Sequence, residues 1–283
     1  MIAMIEIDDP EVIEAYARRE VGLHIYELGD LDPFFWPHTR WYGLPDADGR
    51  GLAALVLLYG GSELPCLLAL ARGPSPAHDR LLRELAPRLP VRFYAHLGPG
   101  LAAVLRDALG PGWRVESGGH HLKLVLAGDD ALTAIDDGEV EALGPAQQAE
   151  LEALYARSYP GNWFDARMLE TGQYVGIRRE GTLACVAGVH VYAPRQGVAA
   201  LGNVTTDPAW RGRGLATVCV AGLCKRLRRS CEVIGLNVHH DNAAALACYR
   251  KLGFVELAGY DEYGFARTPT ITSSYEPSGE RLG

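Results

Sequence analysis

Leu201-Gly-Asn-Val-Thr-Thr-Asp-Pro-Ala-Trp-Arg-Gly-Arg-Gly-Leu-Ala-Thr217 is the stretch that decides the fold. Its β-branched run, Val204-Thr205-Thr206, ends at Asp207-Pro208, where proline stops strand pairing. Arg211-Gly212-Arg213-Gly214 then opens into an apolar segment from Leu215, so the stretch reads as a strand, a glycine turn and a helix start. Glycine leaves backbone N–H groups uncovered, and the first turn of a helix offers unpaired N–H groups at the positive end of its dipole. The segment is suited to an anion, above all a phosphate.

On the N-terminal side, Pro145 to Ser158 carries proline at a helix start, and a shorter helix ends near Leu169. Tyr174 to Arg178 and Leu183 to Tyr192 form a hairpin across Arg179-Glu180-Gly181, followed by a strand from Val198 to Thr206. On the C-terminal side come a helix Leu215 to Arg229, a strand Val233 to His239, a helix Asn242 to Leu252 and a strand from Phe254. Strand, crossover helix and strand make a parallel pair, with the glycine turn at the carboxyl edge where ligands usually bind.

The 283 residues suffice for two domains, and 48% hydrophobic residues suffice for packed cores. A net charge of −8 argues against a general nucleic-acid binder. The apolar runs are too short to span a bilayer, and the acidic start is unlike a secretory leader, so a cytoplasmic protein is expected, away from membranes. Six cysteines without CxxC spacing read as reduced, small hydrophobes. His120-His121 falls on a strand, where neighbours face opposite ways, and no metal site is expected there or elsewhere. Gly212-Arg-Gly-Leu-Ala-Thr217 lacks the third glycine of a dinucleotide fingerprint.

Two motifs can be matched to a family. Arg211-Gly-Arg-Gly-Leu-Ala216 fits Arg/Gln-x-x-Gly-x-Gly/Ala, and Leu236-Asn-Val-His-His-Asp-Asn through Tyr249 to Phe254 fits a second signature. Together they resemble the GCN5-related N-acetyltransferases (GNAT), over about Glu139 to Arg267. The resemblance implies an acyltransferase that moves the acetyl group of acetyl-CoA, its cosubstrate, to an amine acceptor. Arg211, Gly212, Arg213, Gly214, Leu215 and Ala216 would hold the CoA pyrophosphate through backbone N–H groups, with a hydroxyl from Thr217. Val204, Thr205 and Thr206 would pair with the pantetheine arm, and Asn242 would touch it. Tyr249, seven residues after Asn242 and on the same helix face, would be the general acid. The glutamate that the family often places on the strand before the glycine loop is missing, since Ala199-Ala-Leu-Gly-Asn-Val204 holds no acid. His190 and His239 are the candidate bases, each titrating near neutrality. The run Lys225, Arg226, Arg228, Arg229 is explained by the helix dipole, or by the CoA 3′-phosphate.

In the first half, Pro10 to Arg19 and Leu23 to Leu28 look helical, and Asp32 to Tyr42 is aromatic and broken by prolines, a pocket lining or a buried plug. Leu52 to Tyr59 and Leu64 to Ala71 form a hairpin of buried strands. A helix His78 to Leu89, a strand Val91 to Ala95, a helix Leu101 to Leu109 and strands Trp113 to Val115 and Leu122 to Leu126 follow. His96 to Gly110 lies without gaps on His239 to Gly253, which sets Pro99 at Asn242 and Arg106 at Tyr249. Ala71-Arg-Gly-Pro-Ser-Pro76 stands where the glycine loop should be, and its prolines have no N–H to give.

The expectation is an α/β (α+β) protein of two tandem GNAT-like domains, each a mixed, mostly antiparallel sheet with one parallel pair and flanking helices. Residues 1–128 form the copy without a CoA site, 129–138 a linker, 139–268 the catalytic copy and 269–283 a loosely packed tail. The protein is expected to be a monomer or homodimer. Trp163 and Phe164 fall where the family lines its acceptor site or packs its core. Two-domain relatives that resemble glycine N-acyltransferases keep open a longer acyl chain and an amino-acid acceptor. With no acid before the loop, a binding protein that senses acyl-CoA is the other reading.

Overall fold

The computed structural model of the chain describes residues 3–268, so the expected tail lies outside the described residues. The first half contains β1 (Ile5–Ile7), α1 (Pro10–Ala17), α2 (Ile25–Gly29), β2 (Thr39–Pro45), β3 (Leu52–Tyr59), β4 (Cys66–Ala69), α3 (Pro76–Leu85), β5 (Arg92–Leu97), α4 (Leu101–Leu109) and β6 (Trp113–Leu126). After α5 (Asp130–Thr133) the second half contains β7 (Glu141–Leu143), α6 (Gln148–Ser158), β8 (Tyr174–Arg179), β9 (Thr182–Ala193), β10 (Val198–Thr206), α7 (Leu215–Leu227), β11 (Val233–His239), α8 (Ala243–Lys251) and β12 (Phe254–Arg267). Each half therefore runs through four strands, a helix, a strand, a helix and a last strand. In each, the fourth and fifth strands are parallel, and the other pairs are antiparallel.

All twelve strands share one sheet, in the order β1-β2-β3-β4-β5-β12-β6-β11-β10-β9-β8-β7. The last strands are exchanged: β12 pairs with β5 of the first half, and β6 with β11 of the second. They also pair with each other along almost their whole length, from Phe254 opposite Leu126 to Arg267 opposite Trp113. A division at 129–138 thus does not separate one sheet from another, because each half is completed by a strand of the other.

The cores follow the same pattern. One face buries α3 and α4 against the first half, and a second cluster buries α6, α7 and α8 against the second half. On the opposite face Ile13 of α1 with Ile25 and Leu28 of α2 packs with Trp41, Leu57 and Leu68 of the first half and with Val191, Val198 and Ala200 of the second. The expected linker is also held: Leu132 is buried, Lys225 Nζ donates to the Ile135 carbonyl at 2.7 Å and pairs with Asp137 at 2.6 Å, and Arg228 pairs with Asp129 at 2.8 Å. Two of the four cations in the basic run are therefore committed to carboxylates of that segment.

Trp113 to Val115 and Leu122 to Leu126 belong to one strand, β6. Its middle, Glu116 to His121, is polar and carries a bulge opposite Glu262 and Tyr263, so the apolar pattern fails there although pairing continues. The aromatic stretch contributes β2, in which Trp41 is buried, while Phe34 stays exposed. Cys185, Cys219, Cys224 and Cys231 are buried in the second half.

Candidate active site

Strands β10 and β11 pair only from Val198–Val233 to Leu201–Leu236 and then diverge. Backbone groups of residues 202–206 are thereby freed on the β11 side, as a pantetheine arm lying alongside Val204, Thr205 and Thr206 would require. The opening coincides with a bulge against β9, where Gly202 lies opposite Gly188 and Thr205 opposite Val186. Asn203 occupies the bulge with φ +54, a left-handed conformation that asparagine tolerates better than most residues. It is 4% exposed, its carbonyl accepts from Tyr155 at 2.9 Å, and its amide donates to Tyr174 Oη at 2.9 Å. On the strand before the glycine loop, the bulge residue faces the core, where a carboxylate would be desolvated.

The glycine turn follows with φ +74 at Gly212 and +79 at Gly214, values that favour glycine. Gly214 caps α7 without any side-chain hydrogen bond, leaving the first-turn N–H groups of Leu215, Ala216 and Thr217 free for an anion. Arg211 is anchored by its side chain to the carbonyls of Thr206 (3.1 Å) and Ser158 (3.0 Å), and Arg213 stacks over Trp210 at 4.5 Å. The Thr217 hydroxyl lies 3.4 Å from Cys248 Sγ on α8. Asn242 is the N-cap of α8, its side-chain oxygen accepting from the Ala245 N–H at 3.1 Å.

A cavity of about 1730 Å³ starts at this turn and reaches into the first half. Its walls bring together every residue proposed for catalysis, Tyr249, His190 and His239, with Val204, Thr205, Thr206, Thr217 and Asn242. Tyr249 is buried and packs edge-on to Phe254; burial pushes its phenol well above the ordinary range, so it stays protonated. His190 lies across the sheet from Gly202, where a methyl group would collide with its ring. Burial lowers the pKa of His190, and its Nε2 is buried without a hydrogen-bond partner, while Nδ1 lies 3.5 Å from the Tyr26 hydroxyl. His239 is more exposed, and its Nδ1 accepts from the Asp241 N–H at 3.2 Å. That bond leaves Nε2 of the neutral ring as a donor, which suits His239 less well than His190 to accept a proton.

The pairing register continues this polar floor across the exchanged strands. His239 stands opposite His121 on β6, His121 opposite Tyr260 on β12, and Glu262 opposite His96 on β5. Glu262, Tyr94, His96, His121 and Tyr260 all line the cavity, and nothing in the sequence singles them out as site residues. His96 stands out only as the repeat partner of His239, and His121 only as half of the His120-His121 pair. His120 on the other face binds Asp261 at 2.8 Å, so a carboxylate does accompany the histidine pair. His239, His240 and Asp241 place one ligand atom each within 4.8 Å of one another, a mostly exposed group that could hold a metal ion. Of the two candidate acceptor aromatics, Trp163 is 58% exposed at the cavity and its ring is 6.1 Å from that of Tyr94, whereas Phe164 packs against Tyr155 and Tyr174.

Residues 140–254 match the Acetyltransferase (GNAT) family. Among solved structures, an acetyltransferase described as of the GNAT family from Novosphingobium aromaticivorans is similar, with 25% identity over 76% of this chain and 89% of that one and a TM-score of 0.55. A Drosophila protein matches at TM-score 0.71 and 14% identity over 94% of this chain and 99% of that one. A tandem GNAT protein from the clavulanic acid biosynthesis pathway matches at TM-score 0.55 and 16% identity over 95% and 100%. No curated protein matches. The GNAT family segment thus lies in the second half, and the chain as a whole is similar in fold to solved GNAT structures, a tandem one among them. No helix among the described residues is long and apolar enough to cross a membrane.

Proposed function

We propose that the protein is an N-acetyltransferase that moves the acetyl group of acetyl-CoA to a primary amine of a small molecule or peptide. The observation that carries this reading is the divergence of β10 from β11 beside an uncapped helix start, with Tyr249 and His190 on the walls of the same cavity. The free N–H groups at Gly214 to Thr217 suit the CoA pyrophosphate, and the open edge of residues 202–206 suits the arm that delivers the thioester.

An acceptor amine with an ordinary pKa near ~10 arrives as an ammonium and must first lose a proton. His190, kept neutral by burial and with an unpartnered nitrogen, takes it. The freed nitrogen attacks the thioester carbonyl carbon, the C–N bond forms, and backbone N–H groups at the opening stabilise the oxyanion. As the C–S bond breaks, the thiolate accepts a hydrogen bond and then the proton from Tyr249, which recovers one from the amide nitrogen. The balance is an amide, free CoA thiol and one released proton. Because burial makes Tyr249 a weaker acid than a free phenol, most of its effect comes from donating a hydrogen bond to the departing sulfur.

Thiol release from acetyl-CoA against a panel of amines tests the reaction. Tyr249→Phe is expected to lower kcat at least ~100-fold with acetyl-CoA affinity within about twofold. Full turnover in that variant would remove Tyr249 from the chemistry. No thiol release with any amine, alongside tight acetyl-CoA binding, would favour an acyl-CoA sensor.

A further inference from the structure

Glu262 is placed by the strand exchange where neither half alone could put it. β12 carries it between β5 and β6, and the bulge of β6 opposite it contains Gly118 and Gly119. A methyl group on Gly118 would meet the Tyr94 hydroxyl and Cβ of Glu262, and one on Gly119 would meet the His239 ring, so both glycines make room for this cluster. The carboxylate accepts hydrogen bonds from the hydroxyls of Tyr94 and, at 2.9 Å, Tyr260. His96 Nε2 lies 3.4 Å and His121 Nδ1 3.7 Å away.

None of these neighbours neutralises the charge. Burial holds both histidines below their ordinary values, His96 at about 4, so they are uncharged at neutral pH. Among the described residues no lysine or arginine forms an ion pair with Glu262. Lys123 lies under the Tyr26 and Tyr260 rings, bonds Asn237 at 3.3 Å, and faces Glu27 as well as Glu262. One ammonium therefore faces two carboxylates, while burial and Glu27 hold Asp30, on the same cavity wall, well above the ordinary carboxylate range, so that it adds no charge. The cavity therefore has surplus negative charge on the side away from the glycine turn, beside aromatic faces that suit cations.

We infer that Glu262 is the centre of a second cation subsite, and that the acceptor carries an ammonium or guanidinium in addition to the amine that is acetylated. This rests on the acetyl-transfer reading for the reacting end of the cavity. Glu262 is two strands from β11, roughly 10 Å from the wall of the opening at ~4.8 Å per strand, so the two nitrogens would lie several bonds apart. The first half then shares in acceptor recognition, through Tyr94 and His96 of β5 and His121 of β6 around the second half's Glu262.

The test is calorimetry of hexamethylenediamine and hexylamine binding to the CoA-loaded full chain, with thiol release measured alongside. The wild type is expected to prefer the diamine at least ~10-fold, Glu262→Gln to reduce that preference to about twofold or less, and Glu262→Asp to restore some of it. Equal binding of the two amines by the wild type, or an unchanged preference in folded Glu262→Gln, would overturn the subsite. The two readings separate cleanly. Diamine preference without thiol release from acetyl-CoA sustains the subsite and defeats acetyl transfer, and thiol release without preference does the opposite.

Discussion

The two parallel strand pairs, β4–β5 and β10–β11, hold the same step of the same plan, yet only one opens. β4 is paired to its last residue, Ala69 opposite Leu97, and the Gly98 N–H extends the ladder to the Ala69 carbonyl at 2.8 Å. The chain beyond lies so close that a Cβ on Gly98 would stand 2.8 Å from the Ala71 nitrogen. β10 instead stops pairing with β11 at Leu201. The helix starts differ likewise. Ser75 caps α3, accepting from the His78 N–H at 3.3 Å, and Pro76 has no N–H, whereas Gly214 leaves α7 uncapped. The proposed phosphate site would be made from backbone groups that one copy leaves unsatisfied and the other satisfies internally.

The comparison breaks most severely if the copies are separated. Residues 139–268 alone would leave β11 and β12 on either side of a missing β6. The expected result is loss of the cooperative thermal transition and of acetyl-CoA binding. A folded, monomeric fragment that binds acetyl-CoA as well as the full chain would show that the exchange is dispensable.

A smaller effect separates the cores under α3 and α7. α3 buries His78, whose Nε2 donates to the Leu55 carbonyl at 3.2 Å, and burial pushes its pKa down to about 4; α7 buries Cys219, Val220 and Leu223 instead. The folded pKa lies below the ordinary ~6.5, so the contribution to stability is complete above pH ~6.5 and is lost as pH falls towards ~4. It amounts to about 3 kcal/mol. Urea midpoints should fall over that window, and His78→Gln should flatten the fall. An equal slope in the variant would place the acid sensitivity elsewhere.

What depends on local chemistry is legible in the sequence. Val198–Thr206 and Val233–His239 can be read with the bounds observed, because β-branched runs between turn residues have little else to become. The gapless match of His96–Gly110 to His239–Gly253 announces the repeat. Strand exchange is invisible, since hydrophobic alternation states that a strand is half-buried but not which neighbour it pairs with. Glu262 is hidden for the same reason: in sequence it is one acid among Asp261, Glu262 and their polar neighbours. Only the register of β12 against β5 and β6 brings Tyr94, His96 and His121 to it.

The subtlest test substitutes alanine at the two helix starts. Gly214→Ala meets nothing within 4 Å, so its cost is that of a side chain at φ +79, about 1 kcal/mol, plus a methyl group beside the N–H groups proposed to hold the phosphate. Acetyl-CoA affinity should fall about 10-fold with only a small drop in melting temperature. Ser75→Ala removes a cap worth about 1 kcal/mol and should lower stability while leaving acetyl-CoA affinity unchanged. If Gly214→Ala bound acetyl-CoA normally, the phosphate would not depend on this turn. If Ser75→Ala weakened binding, the first copy would not be closed. The crossed outcome, affinity at one helix start and stability at the other, is what distinguishes an open helix start from a sealed one on the same fold.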